Sequence, residues 1–150
     1  MSKLIVLDAG PLGLVSNPNV SPRAEACRDW VEALLAQGDQ VVVSEVADYE
    51  VRRELLRANK TAGIARLDIL KTKLAYASIT PPVMLKAAEL WAQARQMGRP
   101  TAHHQSLDAD AIIAAQAALL IADGHEVVVA TNNVSHLSLF VPAARWQDIT

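Results

Sequence analysis

Short unbroken apolar runs alternate along this chain with longer stretches in which apolar residues recur every three or four positions. Residues 3–7 (Lys-Leu-Ile-Val-Leu), 41–43 (Val-Val-Val) and 126–130 (Glu-Val-Val-Val-Ala) are of the first kind. Such runs read as strands buried on both faces, the pattern of a parallel sheet. The second kind predicts helices over 22–37, 45–59, 61–76 and 82–97. Ser21-Pro22 supplies an N-cap and first helical position, helped by Glu25, and Ser44 caps the helix that follows it. Gly38 and Gly98 stop two of these helices. The expected inward stripes are Ala26, Trp30, Ala33 and Leu34, then Ala47, Val51, Leu55 and Ala58, then Leu85, Ala88, Trp91 and Ala92. Residues 16–22 form a loop by their turn chemistry, 78–80 are too few to assign, and a last strand is expected near 145–149 with Trp146 packing. Strands alternating with helices indicate one α/β domain with a mainly parallel sheet.

One stretch departs from amphipathic periodicity. From Leu107 to Ala122 the chain is apolar except for Asp108, Asp110 and Gln116, which predicts a helix buried nearly all round. Asp108 is placed to cap it, after a loop over 98–105. Residues two apart point in nearly opposite directions on a helix, so a capping Asp108 leaves Asp110 at the edge of the core. A carboxylate there needs a partner, either an arginine or a cation.

Composition narrows the possibilities. The chain has 150 residues, 51% hydrophobic and 20% charged, with a net charge of −2, so no global charge announces a nucleic-acid or membrane partner. Cys27 is the only cysteine, which rules out an internal disulfide and the usual thiolate metal sites and leaves it as a packing residue. No apolar run is long enough to span a membrane, and the expected location is the cytoplasm. His103 and His104 sit together in a polar loop and read as solvated side chains.

Polar groups gather where strands end. Asp8 closes the first strand, Glu50 lies in the helix after the second, Asp110 opens the buried helix, and Thr131-Asn132-Asn133 follow the late strand. Right-handed crossovers put strand ends and following helix starts on one rim. Three carboxylates converging there would repel one another unless a cation intervened, and an all-oxygen ligand set favours Mg²⁺ or Mn²⁺ over zinc. Such a site can activate water and neutralise charge on a phosphodiester. Beside it, Glu50, Arg53 and Arg57 form a stripe at i, i+3 and i+7, which suits a solvated salt-bridge ladder.

Val6-Leu7-Asp8-Ala9, Ser44 with Glu50 six residues on, Asp110-Ala111-Ile112-Ile113-Ala114-Ala115 and Ala130-Thr131-Asn132-Asn133 resemble, in that order, the motifs of PIN domains. The resemblance covers essentially the whole chain, residues 1–150, and is nearest to the VapC-type toxin ribonucleases of bacterial toxin–antitoxin pairs. It implies a three-layer α/β/α sandwich and a Mg²⁺-dependent endoribonuclease acting on RNA, a homodimer held inactive by an antitoxin. It also implies that Asp8, Glu50 and Asp110 bind the metal. Asn133 stands where many members carry a fourth acid, so it joins the catalytic set without adding charge, and a second metal is not expected. Arg53 and Arg57 become candidates for substrate phosphate or an antitoxin's acidic tail. Two rival expectations are an RNA-processing PIN nuclease without an antitoxin and a degenerate PIN-like binding module without catalysis.

Overall fold

The computed structural model describes residues 2–98 and 104–150, with side chains of the longest helix described from Asp108 onward. At its centre is β1 (Leu4–Leu7), flanked by β2 (Gln40–Ser44) and β4 (Val127–Ala130); β3 (Ala75–Ala77) and β5 (Ala143–Ala144) form the edges. Every pairing is parallel, with Val6 opposite both Val42 and Val129. The continuous apolar runs are explained by this: alternate residues of each central strand face opposite layers, and both layers are dry. Leu4, Val6, Val42 and Val129 pack on one side; Ile5, Leu7, Val41 and Val43 pack on the other.

The first layer is built from α5 (Pro81–Gln96), α6 (His104–Ala122) and the short α7 (Val134–Leu137). The second is built from α1 (Ala9–Ser16), α2 (Pro22–Ala36), α3 (Glu45–Arg57) and α4 (Thr61–Lys73). The result is a three-layer α/β/α sandwich. Residues 110, 111 and 113–117 of α6 are all buried, which suits its alanines: small side chains let a helix lie close to the sheet and to α5 at once. Cys27 is fully buried in the second layer, its Sγ 3.8 Å from the carbonyl of Pro11. Burial pushes its thiol up to about 12.

Several local expectations give way to tertiary context. Helix α1 is not among the expected elements; its Pro11 is tolerated since it lies in the first turn, where its missing N–H has no intrahelical partner to lose. The helix expected over 61–76 ends at Lys73, and Tyr76 belongs to β3, where pairing to Val43 outweighs helix propensity. The strand expected near 145–149 is a 3₁₀ turn at Trp146–Asp148 preceded by the two-residue β5. Trp146 does pack, 5.7 Å from Trp30, whose indole N–H donates to the carbonyl of Ile149. Two inward stripes differ from expectation: in α2 Leu34 and Trp30 do pack inward while Ala26 and Ala33 are exposed, and in α5 the buried face is a different one. Helix α2 buries Ala24, Cys27, Val31 and Leu34, and α5 buries Val83, Ala87, Leu90 and Ala94, leaving Leu85 and Trp91 exposed. Ala58 is exposed too, whereas Ala47 is buried with Val51 and Leu55 beside it. Ser21 caps α2 as expected, accepting from the Ala24 N–H, but the Ser44 hydroxyl makes no cap bond and donates to Gln116 instead.

Asp108 is not a cap. Helix α6 starts at His104, so Asp108 lies a full turn inside it and is exposed. The last residues of the expected 98–105 loop are therefore helical, His103 lies outside the described residues, and so does the side chain of His104. Among the described residues no helix is long and apolar enough to cross a membrane.

Candidate active site at the carboxyl edge of the sheet

Because every strand is parallel, all carboxyl ends meet on one edge, the edge on which open α/β sheets bind ligands. Asp8 leaves β1 there and is the N-cap of α1: one carboxylate oxygen accepts the Ala9 N–H at 2.8 Å, and the other accepts the Thr131 hydroxyl at 2.7 Å. Both oxygens are thus aimed, and the side chain is only 8% exposed. Thr131, the residue after β4, has no exposure at all; its hydroxyl also accepts the backbone N–H of Asn133 at 2.9 Å. One hydroxyl therefore ties the loop after β4 to the acid after β1.

Asp110 enters from α6 and is 5% exposed. Its Oδ2 is buried with no hydrogen-bond partner. The nearest cationic group is His136 Nδ1 from α7, at 3.7 Å, too far for a hydrogen bond and an ion pair only when the imidazole is protonated. Burial, then the charges of Asp8 and Glu50, push the Asp110 carboxyl up to about 7. Glu50, in the second turn of α3, is raised as well, first by burial and then by Asp8, with Arg53 acting in the opposite direction. The charges of Asp8, Glu50 and Asp110 thus act on one another across the same edge of the sheet. Among the described residues no three His, Cys, Asp or Glu side chains stand close enough together to hold a metal ion. The edge does carry one carboxylate oxygen, Oδ2 of Asp110, that is buried without a partner. An oxygen donor of this kind suits a hard cation that takes much of its shell from water and substrate oxygens.

The other expected residues are less central. Asn133 is exposed at the N-cap of α7, with no side-chain cap bond, and is linked to Asp8 only through Thr131. Arg53 lies 4.0 Å from Glu50 and stacks over Tyr49 at 5.1 Å. Arg57 is engaged by Glu54 at 2.8 Å, the ladder geometry, and is mostly exposed. Thr131 and His136 were not singled out from the sequence. A Thr after a strand reads as a turn residue, and His136 gave no signal except its place three residues after Asn133. Beside Glu50 a cleft of about 790 Å³ opens between α1, α3 and α4, lined by Gly10, Ser16, Glu54, Leu55 and Gly63 among others.

The chain matches the PIN domain family over residues 5–134. No curated protein matches it. Among solved structures, VapBC2 from Rickettsia felis bound to a DNA fragment from their promoter matches with a TM-score of 0.69 at 18% identity, covering 95% of this chain and 98% of that one. VapBC-1 from nontypeable Haemophilus influenzae matches with a TM-score of 0.68 at 17% identity, covering 97% and 99%. DNA-bound VapBC from Salmonella typhimurium gives 0.60 at 16%, covering 97% and 99%. Identities this low carry the fold alone, and the fold they carry is the one described above, end to end. With the family match extending from the first strand into α7, across all three acids, the chain belongs to the PIN domain family, a family of nucleases.

Proposed function

We propose that the protein is a Mg²⁺-dependent endoribonuclease, the toxin of a toxin–antitoxin pair. The observation that carries the reading is the buried, unpartnered Oδ2 of Asp110, set among two further acids on the ligand-binding edge. Leaving a carboxylate buried without a partner costs a few kcal/mol, a cost that a bound cation removes. PIN nucleases generally use divalent metal ions. Bound by Asp8, Glu50 and Asp110, Mg²⁺ would neutralise charge on the phosphodiester and lower the pKa of a coordinated water. The chain's own groups orient the reaction. Thr131 and the Ala9 N–H fix the Asp8 carboxylate, and Asp110 and Glu50 flank the place where the phosphodiester is attacked. The neutral Asn133 offers an amide rather than a fourth charge, which favours one cation over two.

The likeness to VapBC structures supports an antitoxin as partner. A homodimer is supported by Tyr49, Leu56 and Ile69, exposed apolar side chains on α3 and α4. The test is cleavage of single-stranded RNA with Mg²⁺ and with excess EDTA. Cleavage lost in EDTA, and lost in Asp110→Asn with Mg²⁺ present, is the expected result; equal cleavage in EDTA overturns the metal mechanism.

A further inference from the structure

The carboxyl edge of the sheet is not electrically uniform. Asp8 stands after the central strand β1, and Glu50 lies in the helix after its neighbour β2. On the other side of β1, after β4 and β5, the chain places Asn132 and Arg145, and the first turn of α2 brings Arg23. Arg23, Asn132, Arg145 and Gln147 line a cleft of about 190 Å³. Its wall is made of two guanidiniums and two amides, with no carboxylate. Among the described residues neither guanidinium has a hydrogen-bond or ion-pair partner, and both arginines are exposed, so two solvated cations line one small polar cleft. In a chain of net charge −2 that is a local exception. Two cations lining one cleft attract an anion, and the planar fork of arginine matches the oxygens of a phosphate.

The cleft is joined to the acids by the backbone. Asn132 follows Thr131, whose hydroxyl holds Asp8. The Asn132 amide also lies directly against the first turn of the helix that Asp8 caps: a Cβ on Gly10 would stand 2.3 Å from Asn132 Nδ2. The larger cleft beside Asp8 has a different character: its lining carries two carboxylates, Glu50 and Glu54, against one cation, Lys60.

We infer that the Arg23–Arg145 cleft is a phosphate subsite for the RNA strand, holding a backbone phosphate next to the one being cleaved. The inference rests on the ribonuclease reading. It gives the strand a direction of travel along the edge, from the acids toward β5. Backbone phosphates fix register without reading sequence, so the subsite contributes to binding any single-stranded RNA.

The test is steady-state cleavage of a fluorogenic single-stranded RNA from 50 to 200 mM KCl by the wild type, Arg23→Gln, Arg145→Gln and the double variant. Each phosphate contact contributes ~0.7 to the slope of log affinity against log salt on single strands. The double variant should show KM raised at least fivefold at the lowest salt, kcat within twofold of wild type, and a slope flattened by ~1.4. Arg→Lys at both positions should recover part of the loss, since charge returns without the fork. An unchanged KM and slope in the double variant, with the wild type active, overturn the subsite and leave the ribonuclease reading standing. A fall in kcat at unchanged KM also overturns it, because that pattern belongs to the reacting centre. A wild type that cleaves no RNA at any salt sinks the ribonuclease reading, and the subsite with it.

Discussion

A carboxyl group that keeps its proton to about pH 7 ties the stability of the metal-free protein to pH in an uncommon direction. The ordinary value for Asp110 is 3.8, and in the fold it stands near 7. Between those values the folded chain holds a proton that the unfolded chain has released, so stability falls as pH rises through this window and is greatest below it. Asp110→Asn cannot lose that proton. The melting temperature of wild type without metal, compared with the variant from pH 4 to pH 7.5, should therefore diverge, the wild type losing stability relative to Asn as pH rises; parallel curves would mean that Asp110 is not raised. Thr131 supports a second expectation. Thr131→Val keeps the shape but removes the donor to Asp8 and the acceptor for the Asn133 N–H, at a cost of about 1–3 kcal/mol. Denaturant unfolding should read that loss, and RNA cleavage should fall more than tenfold because Asp8 is no longer held. Asp8 drew notice because it closes a buried strand, and Glu50 and Asp110 because they follow it in the ordered motifs; a strand-end aspartate alone would read as a helix cap, which Asp8 also is. Asp108 misled because an Asp ahead of an apolar run is a strong start signal, yet α6 begins four residues earlier.

Gln116 is the one uncharged polar side chain among the described buried residues of α6, and it joins three elements. Its Oε1 accepts the Ser44 hydroxyl at the end of β2, at 2.6 Å, and its amide donates to the carbonyl of Ala77 in β3, at 2.8 Å. Gln116→Leu would leave a fully buried hydroxyl and a partly buried carbonyl unpaired, and should cost about 2 kcal/mol in denaturant unfolding. A loss below about 0.5 kcal/mol would show that the two groups find other partners. The edge strand is further held by Tyr76, whose hydroxyl lies 3.2 Å from Asp48 and 3.3 Å from Glu45, with Lys71 and Arg52 closing the network on Asp48. None of these pairings is visible in one dimension. Residues 71–76 contain no helix breaker, so β3 was hidden inside a helical pattern, and only the neighbouring strand reveals it. Helix faces were ambiguous for a similar reason. In α5 both the Val83–Leu90 and the Leu85–Trp91 stripes are apolar at helical spacing, and periodicity cannot say which of two apolar faces meets the sheet.

For the molecule as a whole, the strand–helix alternation pointed to a mainly parallel α/β sheet, since short runs buried on both faces admit few topologies, and the resemblance to PIN domains supplied the three layers. Mg²⁺ should raise the melting temperature by several degrees if it binds the folded acids, and Asp8→Asn should remove most of that rise. Light scattering at micromolar concentration should show a dimer. Ile69→Glu is the variant to disrupt it, because Ile69 is half exposed on α4 whereas Leu70 packs against the core. A monomer in the wild type, unchanged in Ile69→Glu, would remove the dimer.

Cys27 has one more use. A single thiol, sealed between α1 and α2 with its proton held to about 12, is invisible to alkylating and disulfide reagents while the fold is closed. Any modification at neutral pH must pass through an opening of that layer, so the rate of labelling becomes a clock for local unfolding beside the helix that Asp8 caps. The native chain thus carries a built-in reporter for whether RNA, metal or a partner protein tightens its active edge, without a dye or a mutation.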